Sequence, residues 1–417
     1  MVSPGLPRTV PRRPPTAKAI VQKTPSAAAT TAAPAIPFFS QAESFDNNWG
    51  EIRRHVIDVL DNGKFSHGAK VGELEERLAA WTGARQVVAV NSGTDALILL
   101  LRAAGLRPGD EVIVPAYSFI ATASAVALAG GVPVFADIEA DGHGVDPRSV
   151  AAAVTPRTTM IMPVHLFDRM ADMRGVQDVA RRHGLTIVED SAEAIGMRMD
   201  GTHAGLLGVG GVLSFFPAKT LGGIGDGGAV LTGDASVAER VRMLRHHGRG
   251  GATLGDFAGI SNATVLPGRN SKMDDVQAAV LLAKLAVLDA GIARRAELAA
   301  RYDARLRGVP GVRGVPGERP PLPGSNRVVY VYLLQVDDRD ALAAHLAARG
   351  IGTEVYYPVP LHLQPCFARL GHRPGDFPRA EAACAAAIAL PLHPDLPEAH
   401  ADRVCDEIEG FYTGRTR

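Results

Sequence analysis

The chain contains 417 residues, and at about 150 residues per domain this length predicts two or three domains. Lysine and arginine number 44, as do aspartate and glutamate, so the formal net charge is zero. Proteins that coat nucleic acid or an anionic membrane carry a clear basic excess, and this balance argues against both classes. An apolar fraction of 46%, with 45 glycines and 29 prolines, favours a loop-rich α/β enzyme with a substantial core.

Cysteine usage and hydropathy predict a cytoplasmic protein that binds neither membrane nor metal. Cys366, Cys384 and Cys405 contain no CxxC pair, which favours a reducing compartment. No apolar run approaches the roughly 20 residues that a membrane span requires, and no continuous apolar stretch follows Arg12-Arg13 as a secretion signal would need. The 13 histidines show no HExxH pattern and no Cys/His ligand spacing, so no metal site is predicted.

Three regions differ in composition along the chain. Residues 1–36 are rich in Pro, Ala, Thr and Ser, carry only basic charges, and predict a disordered N-terminal tail. Residues 37–285 alternate short apolar runs with helical periodicity, which predicts a large domain. Residues 286–417 predict a smaller α+β domain at the C-terminus.

The large domain is predicted to hold a mostly parallel sheet covered by helices on both faces, because short β-rich runs alternate with helices. The predicted helices are Glu51–Leu60, Gly72–Trp81, Asp95–Ala104, Phe119–Ala129, Pro147–Val154 and Met173–His183. The predicted strands are Val87–Val90, Glu111–Val114, Pro133–Asp137, Thr159–Pro163, Leu185–Glu189 and a pair formed by Val212–Phe216 and Ala229–Thr232.

One long helix predicted over Val276–Tyr302 leads from the large domain into the C-terminal region. Its other elements are a strand over Val328–Val336, an extended segment near Glu354–Pro358, and helices over Arg339–Arg349, Arg379–Ile388 and Glu398–Phe411.

Three strand ends carry residues with chemical potential. In Asn91–Asp95 a strand ends and a helix begins, and a helix N-terminus binds phosphate through its free N–H groups; a plain helix cap is the alternative. Asp190 follows an apolar strand, where its carboxylate could pair with a pyridinium nitrogen or cap a helix over Ser191–Ile195. Lys219 ends another strand, where a crowded amine suits Schiff-base chemistry, although a lysine reaching out to solvent is the alternative. Their order along the chain is the order that a pyridoxal phosphate enzyme needs.

These residues and the motifs around them resemble the DegT/DnrJ/EryC1/StrS family of sugar aminotransferases, and the resemblance extends from about residue 45 to the end. The resemblance implies the type I pyridoxal phosphate fold, like that of aspartate aminotransferase, with a seven-stranded, mostly parallel sheet. The motifs that carry it are NSGTDAL (91–97), PGDEVIVPAYSFIAT (108–122), VEDSAEAIG (188–196), SFFPAKTLGGIGDGGAV (214–230), GRNSKMDDVQAA (268–279) and GIGTEVYYPVPLHLQ (350–364).

The resemblance also implies roles for individual residues. Lys219 would form the internal aldimine with pyridoxal 5'-phosphate and move the proton, and Asp190 would pair with the pyridine nitrogen. The phosphate would be bound by Gly93, Thr94 and Ser214, and by Asn270 from the neighbouring subunit of a homodimer with shared active sites. The remaining implied contacts are Phe119 stacking on the cofactor ring with Tyr117 as the fallback, Glu193 beside the ring, and Tyr357 and His362 near the substrate.

The implied reaction moves an amino group from L-glutamate, or L-glutamine, to a keto-sugar that is nucleotide-linked or phosphorylated, in amino-sugar or antibiotic biosynthesis, through a pyridoxamine form of the cofactor. Two alternatives are a pyridoxamine-dependent sugar dehydratase, which generally has His where this chain has Lys219, and a non-catalytic cofactor-binding regulator.

The chain departs from the family pattern at three places. Glu193 stands where many members have Gln or His, and Lys272 replaces a common Arg, which removes a bidentate donor. The stretch HLFDRMADM (165–173) lacks the Gly and Pro that usually follow HLF, which predicts a reshaped loop.

Overall fold

The computed structural model describes residues 34–66, 68–249 and 264–415. The described residues from Ala35 onward form one compact unit. Its strands are β1 (Gln86–Val90), β2 (Glu111–Pro115), β3 (Val132–Ala136), β4 (Thr158–Ile161), β5 (Thr186–Glu189), β6 (Arg198–Met199), β7 (Thr202–His203), β8 (Gly210–Ser214), β9 (Gly228–Thr232), β10 (Tyr332–Gln335) and β11 (Ala387–Leu390).

Three helices precede the first strand, and the others lie between and after the strands. They are α1 (Gln41–Asn47), α2 (Trp49–Asn62), α3 (Ala69–Thr82), α4 (Gly93–Ala103), α5 (Ile120–Leu128), α6 (Pro147–Ala153), α7 (Met173–His183), α8 (Ala235–Arg245), α9 (Asp275–Leu285), α10 (Leu288–Leu306), α11 (Arg339–Ala348), α12 (Pro378–Ala386) and α13 (Glu398–Arg415).

Seven strands form the central sheet in the order β1-β9-β8-β5-β4-β2-β3. Strand β9 runs antiparallel to both of its neighbours, and the other pairs are parallel. The sequence-based prediction of a mostly parallel, seven-stranded type I fold is therefore confirmed, as is the pairing of the strands near 212–232. The carboxyl ends of β1, β5 and β8 meet at one edge, which is where open α/β sheets bind ligands.

Burial explains why the sheet needs helices on both faces. All residues of β2 and β9 are buried, and such two-sided burial matches their continuous apolar sequences. Helix α4 is buried along Ala96–Leu101 and packs in the same core cluster as Val88 and Val212 of the sheet. The buried α4 therefore fixes the position of its own N-terminus at the ligand-binding edge.

A second core cluster surrounds the two-stranded sheet of β10 and β11. It includes Tyr302, Tyr332, Leu342, Ile388 and Val404, which come from helices α10, α11 and α13 and from both strands. This mixture matches the α+β composition predicted for the C-terminal region. The division into domains at residue 285 stays a prediction.

The structure corrects several predicted elements. The single helix predicted over Val276–Tyr302 is two helices, α9 and α10, bent by 60°. The helix predicted over Arg379–Ile388 ends at Ala386, and the strand β11 follows at once. Among the described helices none is by itself long and apolar enough to cross a membrane, and only the bent pair α9 and α10, taken together, meets that test of length and composition.

The predicted N-terminal tail extends too far by at least one residue. Ile36 is fully buried, and its N–H donates to the Gly350 carbonyl at 2.8 Å while its own carbonyl accepts from the Gly352 N–H at 2.8 Å. An apolar side chain with both backbone groups bonded in this way belongs to the folded unit. Residues 1–33 of the predicted tail lie outside the described residues.

Candidate active site

A cavity of about 530 Å³ opens at the carboxyl edge of the sheet. The structure brings most of the predicted site residues together in its lining, although they come from strand ends far apart in sequence. Those residues are Gly93, Thr94, Phe119, Asp190, Glu193, Ser214, Lys219 and Tyr357.

The N-terminus of α4 provides an anion-binding end to the cavity. The Ser92 hydroxyl caps the helix by accepting the Asp95 N–H at 3.1 Å, and the N–H groups of Gly93 and Thr94 have no partner inside the helix at this position. A Cβ on Gly93 would lie 2.9 Å from Cβ of Ser214, so only glycine lets the helix start this close to the end of β8. This narrow cradle of N–H groups and hydroxyls fits a phosphate.

Asp190 is a buried carboxylate in the lining of the cavity. Its Oδ2 accepts from the Thr122 hydroxyl at 2.7 Å, and its Oδ1 accepts from the Ala192 N–H at 3.3 Å. Burial raises the pKa of Asp190, against the opposing effects of the Thr122 and Ala192 hydrogen bonds and of the Lys219 charge. A protonated pyridine nitrogen would supply the cation that this carboxylate needs. Residues 191–195 form turns rather than an α-helix, so the helix-cap alternative for Asp190 is not realised.

Lys219 lies between a carboxylate and an aromatic ring. Its Nζ is 3.0 Å from Glu193 Oε1 and 4.5 Å from the centre of the Tyr330 ring. Glu193 also accepts the Tyr357 hydroxyl at 3.2 Å and the Phe167 N–H at 3.2 Å. The contacts that hold the amine at the cavity therefore come from side chains and not from the backbone. A lysine that binds and releases a carbonyl group requires an amine placed in this way.

The comparison with known proteins follows from this geometry. The model of the DegT/DnrJ/EryC1/StrS aminotransferase family matches residues 47–409. The chain belongs to this family. It is therefore a pyridoxal phosphate-dependent aminotransferase, and solved relatives contain the cofactor in its pyridoxal and pyridoxamine forms.

Two curated relatives and one solved structure illustrate the similarity. A pleiotropic regulatory protein of Geobacillus stearothermophilus is 40% identical over 377 residues, which cover 90% of this chain and 98% of the relative. A dTDP-3-amino-3,4,6-trideoxy-alpha-D-glucose transaminase of Streptomyces venezuelae is 41% identical over 375 residues, covering 90% and 96%. The crystal structure of S. venezuelae DesV with a ketimine intermediate superposes with a TM-score of 0.85 at 40% identity, covering 91% of this chain and 99% of that one.

The two aromatic candidates for ring stacking lie in different places. Phe119 is 54% exposed and lines the cavity, with its ring centre 5.9 Å from that of Tyr357. Tyr117 is fully buried behind the lining, and its hydroxyl donates to the Tyr356 carbonyl. The geometry favours Phe119 over Tyr117, and its contact with the cofactor stays a prediction.

Asn270 and His362 lie outside the lining of the cavity. Asn270 is exposed, and its Oδ1 accepts from Lys272 Nζ at 2.5 Å. His362 is buried, with Nε2 3.1 Å from Glu381 Oε1, and its ring packs against Phe377. Within one chain, therefore, neither residue contacts the site.

Several residues in or beside the cavity were not predicted from the sequence. Thr122 is buried and donates to Asp190 without lining the cavity itself. Thr122 lies on the first turn of α5, three residues after Phe119. This spacing from Phe119 is the one local feature of the sequence that could have indicated it. Tyr330 and Tyr356 reach the cavity from segments more than a hundred residues downstream of Lys219. Only the tertiary fold brings those two tyrosines to the amine.

Replacing Gly93 with alanine is expected to weaken binding of pyridoxal phosphate by about tenfold or more, because the added Cβ must push Ser214 away from the helix start. Cofactor titration followed by visible absorbance measures the effect. Gly72 in α3 has nothing within 4 Å of an added Cβ, so Gly72→Ala is the matched control and leaves binding unchanged. Equal affinities of Gly93→Ala and wild type would contradict the phosphate cradle.

Proposed function

We propose that this aminotransferase moves an amino group from L-glutamate, or L-glutamine, to a keto-sugar in amino-sugar biosynthesis. The observation that carries the proposal is that Lys219, Asp190 and the N-terminus of α4 line one cavity. Relatives named for amino transfer to dTDP-linked and UDP-linked sugars support a sugar acceptor. The proposed location is the cytoplasm.

Each side chain has a distinct task in the proposed reaction. Bound pyridoxal phosphate supplies an electron sink for the charge that develops at the carbon losing its proton. Asp190 would keep the pyridine nitrogen of the bound cofactor protonated, and Lys219 Nζ would hold the cofactor and then accept and return the proton at its own nitrogen. Glu193 and Tyr330 keep the amine within reach during that transfer.

One wall of the cavity suits a hydroxyl-rich acceptor. It consists of Glu354, Val355, Tyr356 and Tyr357 together with Tyr330. Glu354 is exposed at this wall, where its carboxylate can accept hydrogen bonds from sugar hydroxyls. Aromatic faces beside such an acceptor bind the apolar face of a sugar ring, so the wall combines the two contacts that a carbohydrate offers.

The experiment uses the two half-reactions separately. L-Glutamate is added to the holoprotein, and we expect loss of the visible band together with about one equivalent of 2-oxoglutarate per site. L-Glutamine and L-aspartate are compared in parallel, and a panel of keto-sugars is then added to find which restores the band. A holoprotein that forms no 2-oxo acid with any of these donors would overturn the proposal.

The same experiment separates the two alternative functions. A dehydratase would generally have His in place of Lys219, and the lysine therefore favours amino transfer. A relative named as a pleiotropic regulatory protein is 40% identical to this chain, so a regulator that binds the cofactor is the second candidate. With L-glutamate and the acceptor sugar present together, release of 2-oxoglutarate over many turnovers is expected of the enzyme and not of a regulator.

A homodimer with shared active sites is part of the proposal. Phe119 and Phe216 line the cavity and are 54% and 52% exposed, and apolar side chains of this size at a cavity mouth indicate a surface that another chain covers. Asn270 lies outside the cavity of its own chain, as expected if it serves the neighbouring site.

Subunit complementation tests the shared site. Lys219→Ala and Asn270→Ala each inactivate a homodimer, but a mixed dimer contains one site with both residues intact. Refolding the two variants together is expected to restore about a quarter of wild-type activity, because half of the randomly paired dimers are mixed and each has one working site. No recovery, with mixed dimers verified by native mass spectrometry, would contradict the sharing of Asn270.

A further inference from the structure

The loop that follows β4 contains a residue in an unusual conformation. Phe167 has a φ of 63°, which is left-handed, and it is buried. For a bulky residue this conformation is unfavourable, and it persists only where the surrounding structure holds it.

Phe167 connects the two groups that contact the Lys219 amine. Its N–H donates to Glu193 Oε2 at 3.2 Å, and its carbonyl accepts from the Tyr330 N–H at 2.8 Å. Glu193 and Tyr330 are the carboxylate and the ring that lie against Nζ of Lys219. A change in the backbone at Phe167 would therefore move both of them together.

The next residue holds this backbone in place. Asp168 is 7% exposed, and its Oδ2 accepts from Arg327 Nε at 2.7 Å. Arg327 in turn donates from Nη1 to Asp303 Oδ2 at 3.2 Å, and Asp303 Oδ1 accepts the Tyr332 hydroxyl at 2.8 Å. Because Arg327 and Tyr330 belong to the same segment, the ion pair and the Phe167 carbonyl bond are adjacent links between the loop and that segment.

We propose that Asp168 is a positioning residue for Lys219: its buried ion pair with Arg327 fixes the backbone of Phe167, and Phe167 fixes Glu193 and Tyr330 against the amine. The inference rests on the proposed role of Lys219 as the cofactor lysine.

The test compares Asp168→Asn with Asp402→Asn. Asp402 forms a bidentate pair with Arg301, at 2.7 Å for both contacts, between α10 and α13, and it is the control for loss of an ion pair away from the cavity. For Asp168→Asn we expect kcat to fall about tenfold while KM for donor and acceptor stays within about twofold, because a slightly misplaced amine slows proton transfer more than binding. Asp168→Glu, which keeps the charge, is expected to recover part of the loss.

A second readout needs no cofactor. In the apoprotein, the rate at which a small amine-reactive reagent labels Lys219, followed by peptide mass spectrometry at one pH, is expected to rise about threefold or more in Asp168→Asn, since the amine loses its fixed partners. Asp402→Asn should leave this rate unchanged. If Asp168→Asn fails to fold, Arg327→Lys replaces it, with the same split between kcat and KM.

Failure of the positioning role and failure of the proposed function give different results, and the wild-type protein distinguishes them. A variant with a lowered melting temperature but unchanged kcat and unchanged labelling of Lys219 would overturn the positioning role. A wild-type holoprotein that holds pyridoxal phosphate at a residue other than Lys219 would instead overturn the proposed function on which the inference rests.

Discussion

Replacing Lys219 with alanine is expected to lower kcat for transamination by about 10⁴-fold or more and to remove the visible band of the lysine-bound cofactor. In the proposed reaction the amine anchors the cofactor and carries the proton, and alanine can do neither. Absorbance of the purified variant with added pyridoxal phosphate, and release of 2-oxoglutarate from L-glutamate, measure the two losses.

Lys284 provides the matched control for this prediction. Burial lowers its pKa to about 8, so a search for perturbed amines alone would select it, but it lies in α9 and does not line the cavity. Lys284→Ala is expected to keep both the band and the activity. If Lys284→Ala lost the band while Lys219→Ala kept it, the assignment of the cofactor lysine would be wrong.

Replacing Asp190 with asparagine is expected to lower kcat by about a thousandfold while the cofactor remains bound. The amide is isosteric and can keep the Thr122 hydrogen bond, but it carries no charge to hold a proton on the ring nitrogen. Steady-state kinetics and cofactor retention after gel filtration measure the effect. Asp234→Asn, which removes the charge at the N-cap of α8 away from the cavity, is the control and should retain activity.

The Asp190→Asn apoprotein is also expected to be more stable than the wild-type apoprotein at neutral pH. Burial raises the pKa of Asp190, so the folded chain binds this proton more tightly than the unfolded chain does. The corresponding stability is present below the ordinary aspartate pKa of about 3.9 and is lost as the pH rises through the folded value. In thermal unfolding, the melting temperature of apo Asp190→Asn should exceed that of the wild-type apoprotein near neutral pH. This gap in melting temperature should close toward about pH 4. A gap that widens on acidification would contradict the raised pKa.

The strand-end residues of the site could be predicted from the sequence because each has a local signature. Asp190 and Lys219 follow apolar strands, and Gly93 opens a helix after another. Parallel strands place their carboxyl ends at the same edge of a sheet, so the sequence alone predicts that these residues lie close together. The tyrosines at 330 and 356 have no comparable signature, since their segments meet the cavity only through tertiary packing.

The misplaced elements have equally specific causes. Helices α9 and α10 are separated by Ala286-Val287, which contain neither proline nor glycine, so the helical periodicity continues through a bend that only packing produces. The residues before and within β11 are alanine-rich and predict helix, but Ala387–Leu390 pair with β10, and pairing overrides propensity. Ile36 is a single large apolar residue in a stretch rich in alanine, proline and threonine, and its burial depends on Ile351, which lies far along the chain.

The most direct measurement is to identify the residue that holds the cofactor. The holoprotein is treated with borohydride, which makes the bond between cofactor and amine permanent, and is then digested and analysed by peptide mass spectrometry. We predict that the mass of the reduced cofactor is found on the peptide containing Lys219 and is absent after prior incubation with L-glutamate. Attachment at another lysine, or a Lys219 peptide that stays unmodified in a protein with bound cofactor, would contradict the account.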